Sequence, residues 1–292
     1  MTFLSSRSGR RGASARALST LSMVASMFAC VAVTPSRAAE AEGAQDAQAL
    51  AKQLANPIAN LISVPFQANW DMGVGPDNDI RFILNFQPVI PFSVSENWNL
   101  IQRVIVPYVA MPDLGTGLPA ATGMGDILSS SFFSPKEPKK AIWGVGPALS
   151  LPVSSEPTLG TQKFSIGPTF VILKQEGPWT YGGLFNHLWS IAGSDTRADI
   201  NQSYFQPFLA FATPKGVTYT VSSETSANWE ATSSETWTVP LIGQVSKVTR
   251  LGHQPVSLGV GAGYYFETPT GGPDWKFRAL FTLLFPSAPA RH

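Results

Sequence analysis

Charged residues and cysteine are scarce in this sequence. Charged side chains make up 13% of its 292 residues, about half the fraction that is usual in soluble proteins. The single cysteine, Cys30, lies in a segment that we expect to be removed. The mature chain therefore needs neither disulfides nor a thiolate metal site. Its basic residues form no clustered face, which argues against nucleic acid as a partner.

An apolar helix long enough to cross a membrane is also missing. Residues 17–33 are largely apolar, but Ser and Thr interrupt them, and such a short segment is marginal for a membrane span. Four arginines precede it, and Ser36 and Ala38 supply the small residues of a cleavage site. We therefore predict a secretory signal peptide over residues 1–38. A membrane anchor and a lipoprotein processed at Cys30 are the alternatives.

The segment after the predicted cleavage site differs from the rest of the chain. Residues 44–53 are rich in Ala and Gln and predict a short helix that Asn56-Pro57 stops. We expect residues 39–60 to be an N-terminal periplasmic segment, which either plugs the periplasmic mouth of the structure that follows or is a frayed extension.

From residue 61 to residue 286, apolar and polar residues alternate in about twelve segments. The last segment places Trp275, Phe277 and Phe285 on one face and Lys276 and Arg278 on the other. A period of two is typical of a β-strand whose two faces meet different environments. Less regular strands are predicted at about 98–111, 125–134, 141–152, 163–173, 178–191, 202–213 and 235–248, of which 125–134 is the weakest.

These strands follow a signal peptide, so they predict an all-β fold: a transmembrane antiparallel up-and-down β-barrel of about 12 strands over residues 61–286. Connections after even-numbered strands are short, and those after odd-numbered strands are mostly longer. This is the pattern of short periplasmic turns and longer outer loops. An even strand count returns both barrel ends to the periplasm, and residues 287–292 form a C-terminal tail.

A soluble β-sandwich or a secreted propeller is the alternative architecture, since their strands alternate as well. Their outer faces, however, carry many charges, whereas both faces of these strands carry few. Aromatic residues at the strand ends favour two membrane interfaces. Four prolines do not fit regular strands, because each removes a ladder hydrogen bond, and we expect either bulges or shifted boundaries there. These are Pro147, Pro168, Pro207 and Pro240.

A catalytic site has few candidate residues. A lipid hydrolase needs a Ser activated by a His, and only His187 lies within a predicted strand, on the apolar face. Its neighbours Asn186 and Ser190 point to the opposite face, so an interfacial His within an aromatic girdle is the simpler interpretation. No spacing indicates a metal site, and no cofactor is expected.

The polar face of the strands contains the remaining candidates for function. These side chains either solvate a water-filled interior or line a conduit. Arg81, Lys276 and Arg278 fall on strands that adjoin at barrel closure, and there they predict a basic wall that favours anionic or aromatic-acid solutes, with cation–π contacts to Tyr204 or Tyr265. The candidate lumen-lining residues are Arg81, Asn85, Arg103, Tyr204, Gln206, Glu224, Tyr265, Lys276 and Arg278.

Several segments resemble a family of proteobacterial outer-membrane proteins. They include residues 50–57 (LAKQLANP), 85–92 (NFQPVIPF), 132–136 (FFSPK), 143–147 (WGVGP) and 174–179 (KQEGPW). Members are described as transporters or as similar to proteins of the MetA pathway of phenol degradation, and are sometimes mislabelled neuromedin U. The resemblance covers about residues 48–286. It implies an outer-membrane barrel and uptake of aromatic or other hydrophobic compounds, with no catalytic residues.

The sequence thus predicts an export-dependent barrel in the outer membrane of a Gram-negative bacterium. Its expected partners are outer-membrane lipid, the barrel-assembly machinery and a small-molecule solute. We expect a passive channel for small hydrophobic or aromatic compounds, including anionic ones. A lipid-modifying barrel enzyme that uses His187 and a plugged structural barrel are the alternatives.

Overall fold

The computed structural model describes residues 37–115 and 117–286, which form one helix and the fifteen strands of a single sheet. The helix is α1 (Arg37–Leu54), and two 3-10 turns lie at Pro157–Leu159 and Ser233–Glu235. The strands are β1 (Ile62–Val74), β2 (Asp79–Phe86), β3 (Val89–Ser93), β4 (Trp98–Met111), β5 (Ala121–Met124), β6 (Ile127–Pro135), β7 (Ile142–Leu151), β8 (Lys163–Glu176), β9 (Trp179–Gly193), β10 (Asn201–Ala212), β11 (Val217–Ser222), β12 (Thr225–Asn228), β13 (Trp237–Leu251), β14 (Gln254–Glu267) and β15 (Trp275–Phe285).

Two predicted segments fall mainly outside the described residues. They are the signal peptide, of which only the last two positions are described, and the tail at 287–292.

The fifteen strands make twelve antiparallel spans, because β2 with β3, β5 with β6, and β11 with β12 each continue one another. The sheet closes where β1 pairs with β15, from Ile62 opposite Phe285 to Met72 opposite Trp275. Closure leaves no edge strand with unpaired backbone N–H and C=O groups, which could find no hydrogen-bond partner in lipid. The predicted twelve-stranded barrel is therefore confirmed.

The two faces of the barrel wall differ as the alternation predicts. On β15, Trp275 and Phe277 are 53% and 45% exposed, whereas Arg278 and Leu284 are buried. The same parity holds on β14, where Leu258 and Val260 are exposed and Ser257 and Gly261 are buried. An apolar exterior around a polar interior is typical of a barrel that lies in lipid.

Aromatic pairs mark both ends of this apolar surface. At the end that carries the short turns 94–97, 136–141, 177–178, 213–216 and 252–253, which we call the short-turn end, Trp98 packs on Trp143 and Trp179 packs on Phe211. At the opposite, long-loop end, Trp229 packs on Trp237 and Tyr264 packs on Trp275. Apart from the tight connection 75–78, the loops at this end are the longer ones. Two aromatic girdles suit two membrane interfaces. Among the described residues, no helix is both long and apolar enough to span a membrane.

Prolines account for the three interrupted spans. The N–H of Gln87 donates to the carbonyl of Pro65, that of Gly125 to Pro107, and that of Ser223 to Pro207, each at the break in the strand opposite. A proline offers no N–H in return, so the ladder is interrupted beside it. The other prolines singled out from the sequence stay inside strands: Pro147 faces Pro168 across β7 and β8, and Pro240 lies at a register shift in β13. A bulge explains Pro240, whereas Pro147 and Pro168 keep regular register with each other and leave gaps in the pairing with β6 and β9.

Helix α1 begins seven residues earlier than the sequence pattern predicts and ends at Leu54, just before Asn56-Pro57. Ala and Glu, both strong helix formers, extend it at its N-terminal side. Its C-terminal half lies against the short-turn end, where Ala51, Leu50 and Leu54 pack against side chains of three strands and of the residue before β1. Those contacts are with Leu61, Ala212, Val248 and Leu284.

Candidate functional site

Strand register assembles an ionic cluster inside the barrel near its long-loop end. Asp71 on β1 lies opposite Arg81 on one side and opposite Lys276 on the other. Arg81 donates to an Asp71 carboxylate oxygen at 2.8 Å, and the Tyr265 hydroxyl donates to the other at 2.9 Å. Lys276 is 3.7 Å from that second oxygen. Asp71 is only 1% exposed. Its buried carboxylate contacts Arg81, Tyr265 and Lys276 at once.

Glu224 joins this cluster from three spans away. β11 ends at Ser222 and β12 begins at Thr225, so Glu224 lies at the break beside Pro207, and its side chain lines the lumen as its parity predicts. The Glu224 carboxylate accepts from Arg278 at 2.8 Å and lies 3.4 Å from Lys276.

Glycines on β14 leave room for this reach. Gly261 and Gly263 are buried and lie opposite Arg278 and Lys276 in the register. Neither has a side chain to occupy the lumen at this height, and Glu224 reaches across β13 and β14 to the cations of β15.

The wall formed by these cations is mixed in charge. Arg81, Lys276 and Arg278 do lie together, as their strands predict, but Asp71 and Glu224 pair with them. This corrects the expectation of a basic wall. Asp71 was missed as a site residue, although its inward parity and its place opposite Arg81 in the first hairpin could have revealed it. The Tyr265 ring already has a cation–π partner within the protein, because Lys276 Nζ lies 5.6 Å from the ring centroid.

A cavity of about 490 Å³ lies beside this cluster within the barrel. Six of the nine residues proposed from the sequence line it: Asn85, Arg103, Tyr204, Gln206, Glu224 and Arg278. The other three, Arg81, Tyr265 and Lys276, belong to the cluster around Asp71. Apolar side chains alternate with the polar ones in the lining, among them Ile105, Leu128, Leu184, Leu188 and Phe208. The volume and mixed lining are those of a small-molecule site.

The N-terminal segment bounds this cavity. Leu54, Ala55 and Pro57 line it, and Ile58 is buried deeper, among Ile101, Phe132, Val171, Leu173 and Leu184. Gly144 makes room for Ile58, because a Cβ there would stand 3.3 Å from the Ile58 Cδ1 atom. Two hydrogen bonds tie α1 to the strand ends: Gln48 to the Ala212 carbonyl at 3.1 Å, and Gln175 to the Lys52 carbonyl at 2.8 Å. The segment therefore occupies the short-turn end of the lumen.

Arg103 stands between the large cavity and a smaller one. The smaller space, of about 180 Å³, is lined by Asn56, Leu61 and Ser63 on the side of the N-terminal segment, and Arg103 and Gln87 line both spaces. Gln87, at the break between β2 and β3, accepts a hydrogen bond from the Arg103 guanidinium at 3.0 Å.

His187 lies on the outer face of β9, as its parity predicts, but the structure gives it a partner that the sequence did not indicate. Ser203, opposite it on β10, places its Oγ 2.7 Å from His187 Nδ1. Trp229 Nε1 donates to the same Oγ at 2.9 Å. His187 Nε2 is buried and forms no hydrogen bond within the described residues. Cross-strand register, rather than sequence spacing, creates this pair.

A separate ionic contact fixes the loop between β9 and β10. Asp199 accepts from Lys163 at 3.0 Å and from Ser190 at 3.1 Å. These hydrogen bonds and the Lys163 charge hold the pKa of the Asp199 carboxyl below its usual value. The ion pair and these hydrogen bonds anchor the loop to the barrel rim. Among the described residues, no group of three or more His, Cys, Asp or Glu side chains is arranged to hold a metal ion.

The fold is similar to those of solved outer-membrane proteins. A COG4313 outer membrane channel from Pseudomonas putida F1 aligns with a TM-score of 0.58 at 11% identity, covering 77% of this chain and 94% of that chain. Outer membrane phospholipase A from Escherichia coli aligns at 0.43 and 10% identity over 82% and 98% of the two chains. A Pseudomonas aeruginosa FadL homologue aligns at 0.34 and 8% identity over 77% and 88%. Comparisons with protein-family models and with curated proteins find no match.

The first of these similarities shows the fold alone, because 11% identity carries no residue-level correspondence. The present protein is an outer-membrane barrel of a Gram-negative bacterium. Its closed sheet, apolar exterior and paired aromatic girdles are the features that this membrane requires. The resemblance to the MetA-like family stays a prediction from the sequence.

Proposed function

We propose that the protein is a passive channel for small organic solutes, hydrophobic or aromatic, including anionic ones. The observation that carries the proposal is the 490 Å³ cavity inside the barrel, lined by both amide and aliphatic side chains. Such a lining accommodates an apolar body and satisfies a polar group at the same time. The similarity in fold to a channel agrees with this role. The proposed channel uses no cofactor and catalyses no reaction. Its partners are the surrounding lipid, the assembly machinery that inserts it and the solute.

Planar-bilayer recordings test the proposal. Residues 39–292, refolded in detergent and inserted into a bilayer, should give small discrete conductance steps, because the ionic cluster and the N-terminal segment narrow the lumen. A folded barrel that inserts and never conducts would contradict the channel proposal.

A second candidate function, lipid hydrolysis on the outer face, is favoured by the 2.7 Å contact between His187 and Ser203. The Ser203 Oγ would attack an ester carbonyl, while His187 Nδ1 accepts its proton and passes it to the leaving alkoxide. The pair lacks the usual third member within the described residues, since His187 Nε2 has no hydrogen-bond partner. We therefore rank this candidate second.

Ester hydrolysis in mixed micelles separates the two candidates. We expect no phospholipase activity above background, and none that depends on these two residues. Activity that His187→Ala and Ser203→Ala abolish, and that Ser190→Ala on the opposite face of β9 retains, would establish the enzyme instead.

A further inference from the structure

We propose that Arg103 is an anion-binding site inside the channel, selective for small amphipathic monoanions such as aromatic or aliphatic carboxylates. This inference rests on the proposed channel function and assigns a solute class to one residue. It differs from the basic wall expected from the sequence, because the cations of that wall are already paired.

Charge balance around the cavity singles out Arg103. The charged side chains that line the cavity are Arg103, Arg278 and Glu224. Arg278 is bound to Glu224 at 2.8 Å, so these two charges offset one another. Among the described residues Arg103 forms no ion pair, and the cavity keeps its single positive charge. A guanidinium inside a protein is costly without a counter-charge, and an anion from solution would supply it.

A neighbouring side chain orients the Arg103 guanidinium for contact with a solute in the cavity. Gln87 is 93% buried at the break between β2 and β3, and it accepts one N–H of the guanidinium at 3.0 Å. The Gln87 side chain is an uncharged amide, so it orients the Arg103 guanidinium without neutralising its positive charge. A guanidinium has five N–H donors, and two parallel ones match the two oxygens of a carboxylate. Arg103 lines the cavities on either side, and within the described residues its guanidinium donates only to Gln87.

The apolar part of the lining defines the rest of the solute. Leu128, Ile105 and Phe208 line the same cavity as Arg103 and offer a surface for an aromatic ring or a short alkyl chain. A multiply charged or fully polar anion would leave these side chains uncovered. Because Arg103 also lines the smaller cavity toward the N-terminal segment, an anion that it binds stands at the passage between the two spaces.

Equilibrium binding tests the site independently of transport. Benzoate and its neutral isostere benzamide are titrated by calorimetry into the refolded chain, residues 39–292, in detergent. We expect benzoate to bind at least about tenfold more tightly than benzamide, since only the carboxylate forms a charge-assisted bidentate contact with the guanidinium. Arg103→Gln should remove this preference, and Arg81→Gln, which removes a cation already paired with Asp71, should retain it.

The outcomes separate this inference from the channel proposal. Equal affinity for benzoate and benzamide in the wild-type protein would overturn the anion site, whether or not the barrel conducts. A preference that survives Arg103→Gln would overturn it as well. Benzoate selectivity in a barrel that never conducts would support the site and reject the channel. The wild-type comparison also decides the matter if Arg103→Gln does not fold.

Discussion

Removing the N-terminal segment should raise the single-channel conductance severalfold. In the intact protein, the C-terminal half of α1 and residues 55–61 occupy the short-turn end of the lumen, where Ile58 and Ala51 are almost completely buried. A barrel that lacks residues 39–58 loses this obstruction, while every strand and the closure between β1 and β15 remain. Planar-bilayer recordings at fixed salt would measure the change.

A point variant makes the same test without shortening the chain. Ala51→Asp places a carboxylate in the apolar cluster with Leu61 and Leu284, and an unpaired charge there costs several kcal/mol. It should loosen the segment and increase the conductance. Ala49→Asp, two residues away on the exposed side of α1, makes the same chemical change in water and should leave the conductance unaltered. Equal conductance in all these proteins would show that the segment does not obstruct the lumen.

Asp71→Asn should lower the free energy of unfolding by about 3 kcal/mol, the range observed when a buried ion pair loses one partner. Asp71 is 1% exposed and offsets the charges of Arg81 and Lys276 while accepting from Tyr265. The amide of Asn occupies the same volume but leaves two cations without that carboxylate. Urea unfolding in lipid vesicles, followed by tryptophan fluorescence, would measure the loss.

Asp77→Asn is the matched control for this prediction. Asp77 lies on the same hairpin and carries the same charge, but it is exposed in the tight loop that joins β1 and β2. Its replacement should change the unfolding free energy by no more than about 0.5 kcal/mol. If Asp71→Asn and Asp77→Asn behaved alike, the ionic cluster would contribute nothing to barrel stability.

The alternation of the strands predicted the barrel because the wall is one residue thick. Each side chain must face either lipid or lumen, so parity alone identifies Trp275 as external and Arg278 as internal. Parity could not identify the pairing of inward residues, since that depends on register between strands far apart in the sequence. Asp71 with Lys276, and His187 with Ser203, are contacts of this kind.

The three strand breaks show a second limit of sequence patterns. Each proline is visible in the sequence, but the break that it causes lies in the neighbouring strand. There, the residue opposite the proline finds no backbone N–H to accept from, and the regular hydrogen bonding between the two strands stops. Gln87 and Glu224 both reach the lumen through such breaks. The parity of Glu224 did predict a lumen-facing side chain, but the breaks themselves depend on the register of Pro65 and Pro207, which the amino-acid pattern does not contain. The helix was predicted from composition, but its place inside the barrel mouth required tertiary contacts of Ala51 and Ile58.

Solute flux through the intact protein tests the central claim most directly. Liposomes containing folded residues 39–292 would be diluted into iso-osmotic solutions of sodium benzenesulfonate or of a large oligosaccharide, and swelling would be followed by light scattering. The account predicts swelling with the small aromatic anion, none with the oligosaccharide, and faster swelling for Ala51→Asp. Liposomes that swell in neither solution, although the barrel is folded and inserted, would contradict a passive channel.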